Sequence, residues 1–147
     1  MHIKIPLSSP DISEVEIAAV TAVLRTPSLS LGEKLVEFES MFASYNGSAH
    51  AVAVSSGTAA LHLAVLAAGV QSGEEVIVPS FTFIAVANAV RYAGAIPVFV
   101  DIDATTLNLA PAALEKAITP RTRAVIVVHT FATKEPARIV SNGLTPV

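Results

Sequence analysis

The sequence contains no cysteine, which excludes a disulfide scaffold, a thiol nucleophile and a thiolate metal site but leaves the compartment open. Charge is also sparse. Only 14% of residues are charged and the net charge is −3, with Lys and Arg scattered singly, so no electrostatic footprint for nucleic acid is present. A dinucleotide-binding turn would need Gly-x-Gly-x-x-Gly, and here Gly57 stands alone; the Gly-Lys-Ser/Thr of a P-loop does not occur. His50 has no ligand spacing, so no metal site is expected. The amino terminus has Lys4 but no sustained apolar run, and it meets Pro6, Pro10 and Asp11 at once. That argues against a secretory leader and for a cytoplasmic protein. The uncharged stretch from Ala51 to Gly73 is long enough to raise the question of a membrane span. Ser55, Ser56, Gly57, Thr58, His62 and Gln71 divide it into strand, turn and helix instead, so no membrane partner is expected.

What is abundant is apolar surface: 52% of the 147 residues are hydrophobic. A chain of this length is one domain's worth and buries roughly two-thirds of its unfolded surface if it folds alone. Two arrangements read this way. One is a parallel sheet covered on both faces, whose strands are apolar throughout. The other is a chain that leaves apolar surface for a partner.

The pattern along the chain alternates. Ser13 can cap a helix with Glu14 and Glu16 in its first turn and Ile17, Val20 and Leu24 at helical spacing, until Pro27 forbids continuation. A second helix spans about Glu33 to Tyr45, with Leu35, Phe38 and Phe42 on one side and Asn46-Gly47 as its stop. Strands are predicted at Ala49 to Val54, Glu75 to Val78, Ile96 to Val100 and Arg123 to Val128. Helices from Ala59 to Ala68, about Ile84 to Ala93 and Pro111 to Ile118 lie between them. This order implies right-handed βαβ units and a mostly parallel sheet flanked by helices, an α/β fold. Four strands without an internal repeat fit part of a doubly wound domain.

Residues Ser55-Ser56-Gly57-Thr58 join the first expected strand to the third helix. In an α/β protein, ligands gather beyond the carboxyl ends of the strands, where a helix start offers unpaired N–H groups and the positive end of its dipole to an anion. Gly57 permits close approach, and the hydroxyls of Ser56 and Thr58 add donors. The same residue types also serve as plain helix caps.

Three segments carry a resemblance. They are Ser56-Gly57-Thr58-Ala59-Ala60-Leu61-His62-Leu63, then Gly73-Glu74-Glu75-Val76-Ile77-Val78-Pro79-Ser80-Phe81-Thr82-Phe83, then Gly94-Ala95-Ile96-Pro97-Val98-Phe99-Val100-Asp101-Ile102-Asp103. Together, in this order, the sequence from about Pro6 to Phe131 resembles the amino-terminal half of the DegT/DnrJ/EryC1/StrS sugar aminotransferases, which are fold type I pyridoxal-phosphate enzymes. The resemblance implies that residues 1–131 are the amino-terminal part of the cofactor-binding large domain. Residues 132–147 diverge from the family after Phe131, and with two prolines and Asn142-Gly143 they read as a poorly ordered tail.

The resemblance further implies a pyridoxal 5'-phosphate site. Gly57, Thr58 and Ala59 match the phosphate-binding turn, and Phe83 matches the position of an aromatic ring stacked on the cofactor. On the residues alone, an aromatic after a strand also fits core packing. Asp101 and Asp103 suit turn capping, and Asp101 is not the family's pyridine-nitrogen aspartate. His62 reads as a packing residue, and His129 as either packing or ligand-facing. No catalytic residue is assigned. None of the four lysines, Lys4, Lys34, Lys116 and Lys134, follows a strand in the Ser-rich context of the family's Schiff-base lysine, and the sequence stops before that motif. The expectation is a truncated aminotransferase. In full-length form it would move an amino group from an amino-acid donor to a nucleotide-linked keto sugar, as a homodimer with both sites at the interface. The alternative is a non-catalytic fragment that only binds cofactor or dimerises.

Overall fold

The computed structural model describes residues 8–130, and the tail expected from residue 132 onward lies outside the described residues. The chain divides at Ala53/Val54 into two compact units.

The first unit holds two helices. α1 (Glu14–Leu24) begins with a reciprocal cap: the Ser13 hydroxyl accepts the Val15 N–H, while the Ser13 N–H donates to Glu16 Oε2 at 2.7 Å. The two donors at this helix start are thereby satisfied, and the Glu16 carboxyl is held below its usual pKa, first by the Ser13 hydroxyl. No residue of α1 is buried, although Val15, Ile17, Val20 and Leu24 all lie along it. α2 (Glu33–Asn46) ends where Gly47 turns left-handed at φ 67°, a conformation that glycine adopts without a Cβ clash. Phe38 and Phe42 stack one turn apart at 5.8 Å.

The second unit is a three-layer fragment. α3 (Gly57–Ala67) precedes β1 (Glu75–Pro79), α4 (Ala85–Tyr92), β2 (Ile96–Val100), α5 (Pro111–Ala117) and β3 (Thr122–Val125). The sheet order is β2-β1-β3 and both pairings are parallel, as βαβ crossovers require. β1 is central and buried at every residue. One face of the sheet packs Val76 and Val78 with Val65 of α3 and Val86 and Val90 of α4. The other packs Ile77 with Val100, Leu114 and Val125. The alternation of β1 side chains thus feeds two cores, which is why the strand is apolar on both faces.

Two strand expectations need correction. Ala49 to Val54 forms no strand: a strand exists only with a ladder partner, and the Ala53 N–H is instead donated to Glu39 Oε1 at 2.8 Å, leaving Val52 77% exposed. The sheet therefore has three strands among the described residues, and the turn at Ser55 follows an irregular segment. The last strand also stops at Val125 rather than Val128. The Ile126 N–H still reaches the Ile77 carbonyl at 2.9 Å, but the next rung would need an N–H from Pro79, which has none.

Candidate functional site

The segment singled out at Ser56 begins a helix as expected, two residues earlier than its apolar pattern. Ser56 is extended (φ −163°, ψ 160°) and its hydroxyl accepts the Ala59 N–H at 3.2 Å, so the helix starts at Gly57. The Ala60 N–H closes the first turn on the Ser56 carbonyl at 3.0 Å. Gly57 and Thr58 come before that bond, and their N–H groups have no acceptor among the described residues. Ala59 differs from its two neighbours because its donor is already engaged.

Gly57 tests whether the turn suits a phosphate. Its φ is not left-handed, and a Cβ built there meets nothing within 4 Å. Neither backbone strain nor packing therefore requires glycine at this position. Gly57 also opens an 11-residue helix whose first two N–H groups have no acceptor among the described residues, and at such a helix start a phosphate would gain both hydrogen bonds and the helix dipole. The residues present fit a phosphate monoester.

Phe83 sits in the loop between β1 and α4. It is 75% exposed, so it is not the core residue that its position after a strand allows. Its carbonyl accepts the Val86 N–H at 3.2 Å as α4 begins. α3 and β1 are each about 16 Å long at 1.5 and 3.3 Å per residue, and the link of residues 68–74 joins the end of one to the start of the other. A helix that reverses into a strand of its own length begins level with that strand's carboxyl end. α3 also packs on α4, with the ring of His62 edge-on to Tyr92 at 5.7 Å. His62 is thus a packing residue.

The remaining polar candidates separate clearly. Asp103 Oδ1 accepts the N–H groups of Thr105 (3.0 Å) and Thr106 (2.8 Å), the turn-capping role expected of it. Those two bonds, that of Thr106 foremost, hold its carboxyl below the ordinary range. Asp101 Oδ1 takes its neighbour's Ile102 N–H at 2.9 Å. His129 is exposed beyond β3 rather than packed. Lys34 pairs with Glu37 on α2, and Lys116 is exposed in α5. Lys4 and Lys134 lie outside the described residues. Among the described residues, no group of His, Asp and Glu could hold a metal ion, and no helix is long and apolar enough to cross a membrane.

One polar cluster escaped the sequence reading. Glu75, 4% exposed at the start of β1, pairs with Arg121 and accepts the Thr119 hydroxyl at 2.5 Å, while its own N–H donates to the Arg121 carbonyl. The cluster ties the turn before β3 to the central strand, at the amino edge of the sheet. A carboxylate opening the apolar run Glu75-Val76-Ile77-Val78 was its signal.

A three-stranded parallel sheet with helices packed on both faces is part of an α/β domain. The chain belongs to the DegT/DnrJ/EryC1/StrS aminotransferase family, whose model matches residues 10–134. It is 50% identical over 125 residues to the spore coat polysaccharide biosynthesis protein SpsC of Bacillus subtilis, a match covering 85% of this chain and 32% of that protein. It is 56% identical over 102 residues to the GDP-perosamine synthase of Caulobacter vibrioides, covering 69% and 28%. Among solved structures, DesV of S. venezuelae superposes with a TM-score of 0.77 at 45% identity, covering 86% of this chain and 34% of that one. The chain spans about a third of the length of each relative.

Proposed function

We propose that this chain supplies the phosphate-binding edge of a pyridoxal 5'-phosphate site in a sugar aminotransferase. The observation that carries the reading is the pair of N–H groups at Gly57 and Thr58 that have no acceptor among the described residues, at a glycine whose Cβ position is open. These would donate to the phosphate oxygens, with the Thr58 hydroxyl as a third donor. The Ala59 N–H joins them only when the Ser56 hydroxyl gives it up. Phe83 would lie against the pyridine ring and keep water from one face of it. When bound, pyridoxal phosphate supplies the electron sink for moving an amino group.

The substrate class follows from the relatives. One is a GDP-perosamine synthase and another acts in polysaccharide biosynthesis, which supports a nucleotide-linked keto sugar as the acceptor; an amino-acid donor and a cytoplasmic homodimer complete the proposal. No described lysine lies in the second unit's candidate site: Lys34 is in the first unit and Lys116 on α5. The 147 residues alone would therefore bind the cofactor weakly and catalyse no transfer.

Equilibrium dialysis of this chain with pyridoxal 5'-phosphate, and separately with pyridoxal, tests the phosphate site. Preference for the phosphorylated form, lost in Gly57→Val, supports it; equal binding of the two sinks it. Borohydride treatment tests the inactivity. Stoichiometric labelling of one lysine would overturn that half of the reading.

A further inference from the structure

We propose that Asp101 is a positioning residue for Phe83, acting through Ser80; the inference rests on the reading of Phe83 as the cover of the cofactor ring. The loop that carries Phe83 leaves β1 at Ser80 and enters α4 at Ala85. With three quarters of its surface open, the Phe83 ring is held by its backbone rather than by the core. Among its contacts, that backbone is fastened at its helix end and at its strand end.

At the helix end, the Phe83 carbonyl takes the N–H of Val86, whose side chain is buried among Val78 and Val90. At the strand end, the Ser80 N–H extends the β1–β2 ladder by donating to the Val100 carbonyl at 2.8 Å. The Ser80 hydroxyl donates to Asp101 Oδ1 at 3.5 Å. That length lies beyond the usual O–H···O range of about 2.5–3.0 Å, so the link is a weak tether rather than a rigid clamp.

Asp101 is itself fixed independently of the loop. The same oxygen accepts the Ile102 N–H at 2.9 Å, and its carbonyl accepts the Ala110 N–H at 3.1 Å, just before α5. One residue thus joins the exit of β1, the exit of β2 and the entry to α5. Only one of its bonds reaches the Phe83 loop, and that bond needs an acceptor oxygen but not a negative charge.

This last point gives the test. In the 147-residue chain, 15N relaxation order parameters for Phe81 to Ile84 are compared among wild type, Asp101→Ala, Asp101→Asn and Ser80→Ala. Asp101→Ala and Ser80→Ala are expected to fall from about 0.85 toward 0.6, the change from rigid to flexible backbone. Asp101→Asn, which keeps the oxygen, is expected to match wild type. Unchanged values in Asp101→Ala and Ser80→Ala overturn the proposal. So does an equal fall in Asp101→Asn, or a fall spread uniformly through β1 and β2, which marks a general structural role. Should Asp101→Ala fail to fold, Ser80→Ala decides alone.

A binding cycle separates the two levels of the argument. If Asp101 acts through Phe83, the Asp101→Ala/Phe83→Ala double variant binds pyridoxal 5'-phosphate no more weakly than Phe83→Ala, and additive losses overturn the positioning role. Phe83→Ala binding as well as wild type sinks the cofactor reading instead, and the relaxation data still judge the tether.

Discussion

The Ser56 hydroxyl accepts the N–H of Ala59 at 3.2 Å, closing a helix start whose two preceding N–H groups have no acceptor among the described residues. Capping and ligand binding therefore share one turn. Ser56→Ala removes the acceptor without altering the apolar contacts of α3, and is expected to lower stability by about 1 kcal/mol. Ser56→Gly should cost only a few tenths. Urea unfolding followed by circular dichroism reads both; an alanine variant as stable as wild type would show that the bond contributes nothing.

Phe83 and Ile77 are both apolar, yet their substitutions should behave oppositely. Ile77 is fully buried under Val100, Leu109 and Leu114, so Ile77→Ala opens a cavity and is expected to cost about 2–5 kcal/mol. Phe83→Ala removes an exposed ring and should shift stability by less than about 0.5 kcal/mol. Its effect belongs in binding: a stacking loss of about 0.5–1.5 kcal/mol weakens pyridoxal 5'-phosphate by roughly two- to tenfold. Thermal unfolding and equilibrium dialysis on the same two variants check the contrast. A destabilised Phe83→Ala would return the ring to the core.

Local signals made most of the fold legible. Ser13 with Glu16, Asn46-Gly47 and Pro111 each mark a helix end by backbone chemistry that needs no distant partner, and all three act where expected. The strand at Ala49 to Val54 failed because apolar composition cannot supply a ladder neighbour. The overlong final strand failed because Pro79, on a different strand, sets its limit. At the candidate site the sequence indicated the turn and the aromatic residue. It could not reveal that the Ala59 donor is occupied, or that Ser80 reaches Asp101, since both depend on side-chain directions. Glu75 was missed because its partners Thr119 and Arg121 are distant in sequence.

The Glu75 cluster should be felt chiefly through its acid. Arg121→Ala leaves a carboxylate that is 4% exposed without its cation. Removing one member of a buried ion pair costs about 3–5 kcal/mol. Here Arg121 is largely open to water, so screening reduces the expected loss to about 1–3 kcal/mol. Glu75→Gln in the Arg121→Ala background should recover part of it, because a neutral amide still accepts from Thr119 and no longer buries charge. Chemical denaturation of the single and double variants measures the recovery; none would mean the cost lies in the Arg121 side chain's own packing.

Acid should act through Asp103 and Glu16, whose carboxyls are held below their ordinary pKa values by Thr106 and Thr105 in one case and Ser13 in the other. A carboxyl with a lowered folded-state pKa binds fewer protons folded than unfolded. Its stabilisation is therefore complete above the unfolded-state value and lost as pH falls through the folded-state value. Both groups are on the surface, so salt and water temper the effect. Asp103→Asn removes the titrating group while keeping an acceptor oxygen for Thr106. It is expected to lower the melting temperature slightly at neutral pH and to flatten the decline between about pH 5 and pH 2. Glu16→Gln should do the same independently, because the two carboxyls cap separate elements in separate units. Melting curves across that range in the two single variants and the double variant read the slopes. An acid decline as steep in the double variant as in wild type would place the sensitivity on other carboxylates.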